Sequence, residues 1–376
     1  MKGTIDLIVD FAEKQKEKEI DRLNTGSAFR RAQDWIDRVY HAENDKGTIA
    51  ELRNQFQRDS NLILITAAFV HLAPAIKSGH TSTPAITTGM PMTRPGRKAG
   101  DLVPYFLWIK MATIERWGSP VLTSTKSAAV LDIACGKGGD IHRWKVAGAK
   151  LYVGLDSDKG QIAWASKHLE TVRNPPSKFR AEFSVVDCFD SSLSDVQFPF
   201  GVKRFDIVSI QVSMHIVWKT QKRAKQTLKN VGKSLRKGGI FVGTMFDDER
   251  AQAMARKLPA ARERSFGNTA YKVTFSTQDS RDFGRRYVFS LFGTAENRRR
   301  YVVPWKVFVK TAGWYGLRLK EVKSFKEIFE EEHATPDYRK KLHEMNIIDE
   351  GNNLYMDLDQ WEAVNFYIAF MFIKDD

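Results

Sequence analysis

The densest chemistry in this 376-residue chain lies between Val130 and Asp140, in the run VLDIACGKGGD. An apolar stretch leads into Gly136, Gly138 and Gly139, and a helical segment follows. Glycine adopts backbone angles closed to other residues and lets a ligand approach the main chain. In an open α/β sheet, ligands sit beyond the carboxyl ends of the strands, near the first strand–helix turn. Acids mark the same region. Asp132 precedes the turn, where a carboxylate can meet backbone amides and an ammonium group, and Asp140 closes it. Asp156 ends the next apolar run, KLYVGLD, where an acid can accept from both hydroxyls of a ribose. Asp187 ends FSVVD, where an acid can accept from an adenine amino group. Glycines alone are common in plain strand–helix turns, so the acids carry the argument.

A dinucleotide site is testable on the same residues. The GxGxxG pattern begun at Gly136 needs glycine at position 141, which is Ile141. Asp140 also puts an anion at the helix N-terminus, where a pyrophosphate would bind. That position suits a cationic sulfonium and an amino-acid group, so the expected cofactor is S-adenosyl-L-methionine, with S-adenosyl-L-homocysteine as product. No Ser-His-Asp or Cys-His arrangement is apparent, and no metal is expected.

The elements that must hold these residues follow from the apolar pattern. AAVLDIA, KLYVGLD, FSVVD, FDIVSIQV and GGIFVGTMF are short buried strands. Helical stretches such as HRWKVAG, DKGQIAWASKHLETV and KTQKRAKQTLKNVGKSLRKGG separate them. This alternation describes an α/β domain with a mainly parallel sheet. YKVTF, RRYVFSLFG and NFYIAFMFIK predict antiparallel additions at the sheet edge and a small inserted lobe, and DLVPYFLWIKMATIERW reads as an aromatic helix. Upstream, residues 1–76 read as a helical extension. Residues 77–101, with Pro84, Pro91 and Pro95, read as a linker or loop, and 102–376 as the catalytic domain.

Composition sets the outer bounds. A 42% hydrophobic, 11% aromatic chain suits a soluble globular protein with a sizeable core. Cys135 and Cys188 are too few for a disulfide framework and point to a reducing compartment. Leu62–Ile76 is short for a bilayer span and is interrupted by Thr66, His71 and Pro74, so no membrane association is expected. The formal charge of +14 suits a polyanionic partner.

ACGKGGDIHRWKVAG resembles the first motif of mRNA cap guanine-N7 methyltransferases, a family of Rossmann-like class I methyltransferases. FDIVSIQVSMHIVW, LRKGGIFVGTMFDD, RSFGNTAYKVTF, FGRRYVFSL, RYVVPWKVFVKTAGWYGLRLKEVKSFKEIFEEE and DQWEAVNFYIAFMFIK resemble further family segments in the same order, covering roughly Leu102 to Lys374. The resemblance implies methyl transfer from S-adenosyl-L-methionine to N7 of the guanosine cap. By motif, Lys110, Ala134, Asp156, Asp187 and Gln211 would contact the cofactor, with Asp132, Gly136, Asp140 and Ile216 in the same pocket. Lys137 and Arg143 would face the cap phosphates, and His215 and Tyr367 the guanine. Bland roles stand beside these: Tyr367 as core packing, His215 as a satisfied residue at a strand end, Lys137 as a solvated side chain.

Guanine N7 carries an available lone pair and need lose no proton on attack, so catalysis is expected from alignment rather than acid–base chemistry. The cap half departs from the family. His-Tyr becomes His215-Ile216, a proline becomes Phe246, a glutamate becomes Arg300, and an asparagine pair becomes Phe106-Leu107. Arginine donates where glutamate accepts. Other readings are a methyltransferase acting on another RNA base or a small molecule, and a non-catalytic RNA-binding capping subunit. The N-terminal region would brace the domain or contact a partner capping subunit. Localisation would be nuclear for a cellular eukaryotic protein, and a cytoplasmic factory or virion for a viral one.

Overall fold

The computed structural model describes residues 102–172, 179–259, 263–276, 281–292 and 297–375. The expectations for residues 1–101, including the helical extension, the linker and any partner contact, lie outside the described residues.

The first element is helix α1 (Val103–Thr113), with Pro104 in its first turn, where a missing N–H costs nothing. A π-helical turn at Ile114–Gly118 joins it to α2 (Ser119–Ser124). Strand β1 (Ala129–Ile133) follows and is buried along its whole length. The chain then alternates through α3 (Ile141–Val146), β2 (Leu151–Asp156), α4 (Lys159–Val172) and β3 (Arg180–Val185). After β4 (Phe205–Gln211) come the short α5 (Met214–Val217), then α6 (Gln221–Ser234) and β5 (Leu235–Phe246). Thr220 starts α6 by accepting the Arg223 amide through its hydroxyl at 3.2 Å.

These strands form one seven-stranded sheet, ordered β10-β11-β5-β4-β1-β2-β3. β1 pairs in parallel with β2 and β4, β2 with β3, and β4 with β5. Strand β11 (Tyr367–Lys374) runs antiparallel to β5, and β10 (Leu317–Ser324) antiparallel to β11. Successive β1 residues alternate between two cores: Val130 belongs to the one that holds Tyr105, Trp144 and Tyr152, and Leu131 to the one that holds Trp218, Phe308 and Phe370. Helices therefore cover both faces, as a mainly parallel sheet requires.

Between β5 and β10 the chain makes α7 (Asp248–Arg256), four strands and α8 (Trp305–Gly313). β6 (Glu263–Gly267), β7 (Tyr271–Ser276), β8 (Arg286–Leu291) and β9 (Asn297–Tyr301) form a separate antiparallel sheet in sequence order. This is the inserted lobe expected from YKVTF and RRYVFSLFG. Helices α9 (Phe325–Glu332), α10 (Pro336–Glu344) and α11 (Leu358–Val364) complete the domain, with capping boxes at Ser324–Glu327 and Asp357–Gln360.

Two boundaries differ from the sequence reading. LRKGG belongs to β5 rather than to the preceding helix, because α6 ends at Ser234 and Gly238 takes a left-handed φ of 68°. LRLKEVKS forms the edge strand β10, whose charged, partly exposed face hides its strand character.

Candidate cofactor and acceptor site

The glycine turn grows directly from β1. Ala134 has φ 58°, Gly136 φ 55° and Gly138 φ 71°, so the backbone turns three times through left-handed conformations within five residues. At Gly138 a side chain would also collide: a Cβ there would sit 3.0 Å from Phe183 Cζ and 3.2 Å from Ala165 Cβ. Gly139 faces open space, with no atom within 4 Å of such a Cβ. The turn is thus packed against β3 and α4 on one side and open on the other.

Asp132 is only 2% exposed at the end of β1, and Tyr152 Oη donates to its Oδ2 at 2.7 Å. Tyr152 belongs to the adjacent strand β2, two residues before the partner of Asp132 in the register. Burial, reinforced by the charge of Asp140, pushes the Asp132 carboxyl up to about 7 against the opposing effects of Tyr152 and Lys110. A nearby cation would restore its ionised form.

Asp140 is held differently. Lys110 Nζ, from α1, donates to Oδ2 at 2.7 Å, and Arg143 Nη1 donates to Oδ1 at 3.1 Å. Burial opposes ionisation, but the two cations outweigh it and keep the Asp140 carboxyl below its usual range. From the sequence, Asp140 places an anion at the α3 N-terminus. The structure corrects this, because Lys110, Asp140 and Arg143 together carry one net positive charge, and Asp140 makes no side-chain capping bond there. The preference for a cation therefore belongs to Asp132, and Lys110 offers a positive end beside it.

Asp156 ends β2 as expected and ties two turns together. Its Oδ2 accepts from Gly136 N at 2.9 Å and its Oδ1 from Asp158 N at 2.9 Å. Each oxygen retains a further lone pair. Asp187 lies just beyond β3, accepts from Phe189 N at 3.1 Å and Asp190 N at 3.3 Å, and has Arg223 Nη2 at 3.7 Å. Gln211, at the end of β4, bonds Ser209 Oγ at 3.2 Å and accepts from Thr244 Oγ1 at 2.8 Å. Its amide bridges β4 and β5, so its side chain is already committed within the sheet.

The residues expected at the acceptor fall into two groups. Lys137 is exposed on the glycine turn. Arg143 is tied inward, donating to Leu107 O at 3.3 Å and Gly139 O at 2.7 Å besides Asp140. His215 and Ile216 both lie on α5, with Ile216 42% exposed. Phe246, Arg300 and Tyr367 come together although they lie far apart in sequence, and each is 3% exposed. Arg300 Nη1 donates to Tyr367 Oη at 3.2 Å, and its guanidinium lies 5.0 Å from the Phe289 ring centroid. Phe246 stacks on Tyr287 and Phe366, and Phe106 meets Tyr367 edge-on at 4.9 Å. The departures Phe246, Arg300 and Phe106 therefore pack around one tyrosine.

Sequence reasoning missed Tyr152, Asp248 and Tyr287. A lone tyrosine in an apolar strand was the available signal for Tyr152; the other two had none. Asp248 is buried at the start of α7, where its Oδ2 accepts from Val303 N at 2.9 Å. Its Oδ1 has no hydrogen-bond partner among the described residues, with Arg300 and Tyr287 as neighbours. Burial pushes this carboxyl up to about 8, beyond what Val303, Tyr287 and Arg300 offset. Cys135 and Cys188 are free thiols, both raised by burial, which leaves neither as a thiolate nucleophile.

A mainly parallel sheet with an open glycine turn and acids at successive strand ends defines a nucleotide-type cofactor fold of the methyltransferase kind. The chain belongs to the mRNA (guanine-N(7))-methyltransferase domain family, whose model matches residues 99–375. It is 36% identical over 271 residues to the mRNA cap guanine-N(7) methyltransferase of Cryptococcus neoformans, covering 71% of this chain and 43% of that protein. The corresponding Schizosaccharomyces pombe protein is 32% identical over 271 residues, covering 71% of this chain and 73% of its own length. The chain thus spans less than half the length of the first relative and about three quarters of the second.

Proposed function

We propose that this chain transfers a methyl group from S-adenosyl-L-methionine to N7 of the guanosine cap at an RNA 5′ end. The observation that carries the reading is the charge arrangement at the glycine turn: an acid seeking a cation, Asp132, beside an amine, Lys110. An amino-acid group is both ammonium and carboxylate, and these two side chains complement its two ends. Membership of the family supports the acceptor.

When bound, the cofactor supplies an electrophilic methyl group on a sulfonium. Asp132 would hold the ammonium end, with Tyr152 fixing the carboxylate by its hydroxyl bond. Lys110 would meet the carboxylate end, and Asp156 would accept from the ribose hydroxyls with the lone pairs left by Gly136 and Asp158. Asp187 would accept from the adenine amino group. Ala134 and Gly136 would line the turn by backbone, and Gln211 and Ile216 the floor towards the acceptor. None of these groups needs to move a proton, because N7 attacks with its own lone pair. The chain's contribution is to align the attacking nitrogen and to keep water out.

Lys137 would contact the cap phosphates. Arg143, whose Nε and Nη1 hold Leu107, Gly139 and Asp140, would face the cap phosphates with Nη2. His215, Phe246, Arg300 and Tyr367 would bound the guanine. Arg300 can donate to the guanine O6 but cannot accept from N1 or N2. Recognition would therefore rest on stacking and on the O6 edge. A partner capping subunit and a nuclear location follow from the family reading as further parts of this proposal.

The test compares GTP, GpppG, GpppG-capped RNA and uncapped RNA as acceptors for labelled methyl groups. Transfer to cap-bearing acceptors at least about tenfold above uncapped RNA is expected, a difference of about 1.4 kcal/mol in transition-state binding. Equal transfer to all four would contradict the cap assignment.

A further inference from the structure

Two tryptophans stand open on the described surface, Trp164 at 60% and Trp314 at 56% exposure. Trp314 lies beneath Lys225 of α6. Trp164 has a partner from the glycine turn itself: Lys137 Nζ lies 5.4 Å from its ring centroid, with Lys167 Nζ 5.9 Å away. The register of α4 explains the placement. Ile162, Ala165 and Leu169 point into the core, Ala165 packs beneath Gly138, and Trp164 and Lys167 face outward. The outer face of α4 therefore continues the surface of the glycine turn.

Cations extend that surface onto α3, which packs beside α4. The His142 imidazole is held below its ordinary value, first by partial burial and then by Lys145, Arg143, His168 and Lys341 around it. A flat indole with cations at its margins suits a single-stranded nucleic acid, whose bases stack on aromatic faces while phosphates meet cations. An acidic peptide would use the cations and leave the indole without a role. A large apolar ring held in solvent next to a substrate-facing lysine is the part that a base uses.

We propose that Trp164, Lys137, Lys167 and His168 form a shelf for the RNA that follows the cap. A base stacks on the Trp164 indole, and the backbone phosphates lie along Lys167 and His168. This rests on the reading of Lys137 as a contact for the cap phosphates.

The test uses the full chain as wild type, Trp164→Ala and Trp164→Phe, with GpppG and a capped RNA of roughly ten nucleotides, several residues beyond the length one stacking platform needs. Trp164→Ala is expected to raise KM for capped RNA about tenfold, within the range of one lost base stack. KM for GpppG and kcat stay unchanged, and Trp164→Phe recovers most of the loss. Equal effects on both acceptors, or none on either, would overturn the shelf. An uncapped strand followed by fluorescence anisotropy reads the shelf without any methyl transfer. If neither capped acceptor is methylated, the cap reading falls, while a loss of strand affinity in Trp164→Ala still supports the shelf and an unchanged affinity refutes it.

Discussion

At the scale of single residues, the turn holds two acids eight positions apart in opposite electrostatic states. Asp140 is pinned as an anion by Lys110 and Arg143, whereas the Tyr152 and Ser209 hydroxyls and the more remote charge of Lys110 do not offset burial and Asp140 at Asp132, which is pushed up to about 7. An unperturbed aspartate titrates near ~4, so the free folded chain binds a proton at Asp132 that the unfolded chain has lost between pH ~4 and ~7. Asp132 therefore makes the unliganded fold less stable as pH rises through that window. In the proposed contact, cofactor binding would reverse the preference, because an ammonium group favours the carboxylate. Affinity for S-adenosylhomocysteine should rise about tenfold per pH unit up to about 7 and then level. Calorimetry at pH 6 in buffers of different ionisation heat should record close to one proton released per ligand bound. Asp132→Asn should weaken binding and abolish that release. Proton release that is absent in the wild type, or unchanged in the variant, would remove Asp132 from the cofactor contact. The residue types of both acids were legible in the sequence. Their opposite states were not, because Lys110 comes from a helix thirty positions upstream and Tyr152 from the neighbouring strand.

At the scale of elements, the glycine turn is tightly constrained on its packed side. Ala134 carries a side chain at φ 58°, a conformation that costs an L-residue roughly 1–2 kcal/mol. Glycine would remove that strain and add about 0.5–1 kcal/mol of chain entropy cost. Ala134→Gly should therefore stabilise the fold by about 0.5–1 kcal/mol in chemical denaturation, the net of these terms. Gly154 marks the opposite case, since a Cβ there would meet the Phe183 ring and come within 2.9 Å of Cys135 Sγ. Gly154→Ala should destabilise by about 1–3 kcal/mol through overpacking. If both substitutions shift the transition in the same direction, the description of the turn is wrong. The strands that carry this turn were readable because buried parallel strands are continuous apolar runs. β10 was not, because a charged edge strand lacks that signature. Nor could the sequence show that Phe106, Phe246, Phe289, Arg300 and Tyr367 would meet, since they come from five separated elements and only the packing of the inserted sheet on β5 and β11 unites them.

At the scale of the whole molecule, the work divides between two sheets. The seven-stranded sheet ends in the acids and the glycine turn, and the four-stranded insertion brings Tyr287 against Phe246 at the end of β5 and Arg300 against Tyr367 at the start of β11. The charges of Asp132, Lys110 and Asp140 lie together at the glycine turn, while the inserted sheet buries Arg300 over the Phe289 ring. The formal charge of +14 and the cationic surface around the glycine turn suit an RNA substrate, whose binding should weaken as salt rises. On the proposed function, the arginine-containing pocket presents guanine N7 to the methyl donor. This is read from the position of the methyl group in product made from capped RNA labelled at the cap phosphate, after digestion to cap dinucleotides. Label is expected in the N7-methylated cap dinucleotide and none in methylated internal nucleotides. A methyl group on any other atom of the RNA, with the cap guanine left unmodified, would contradict it.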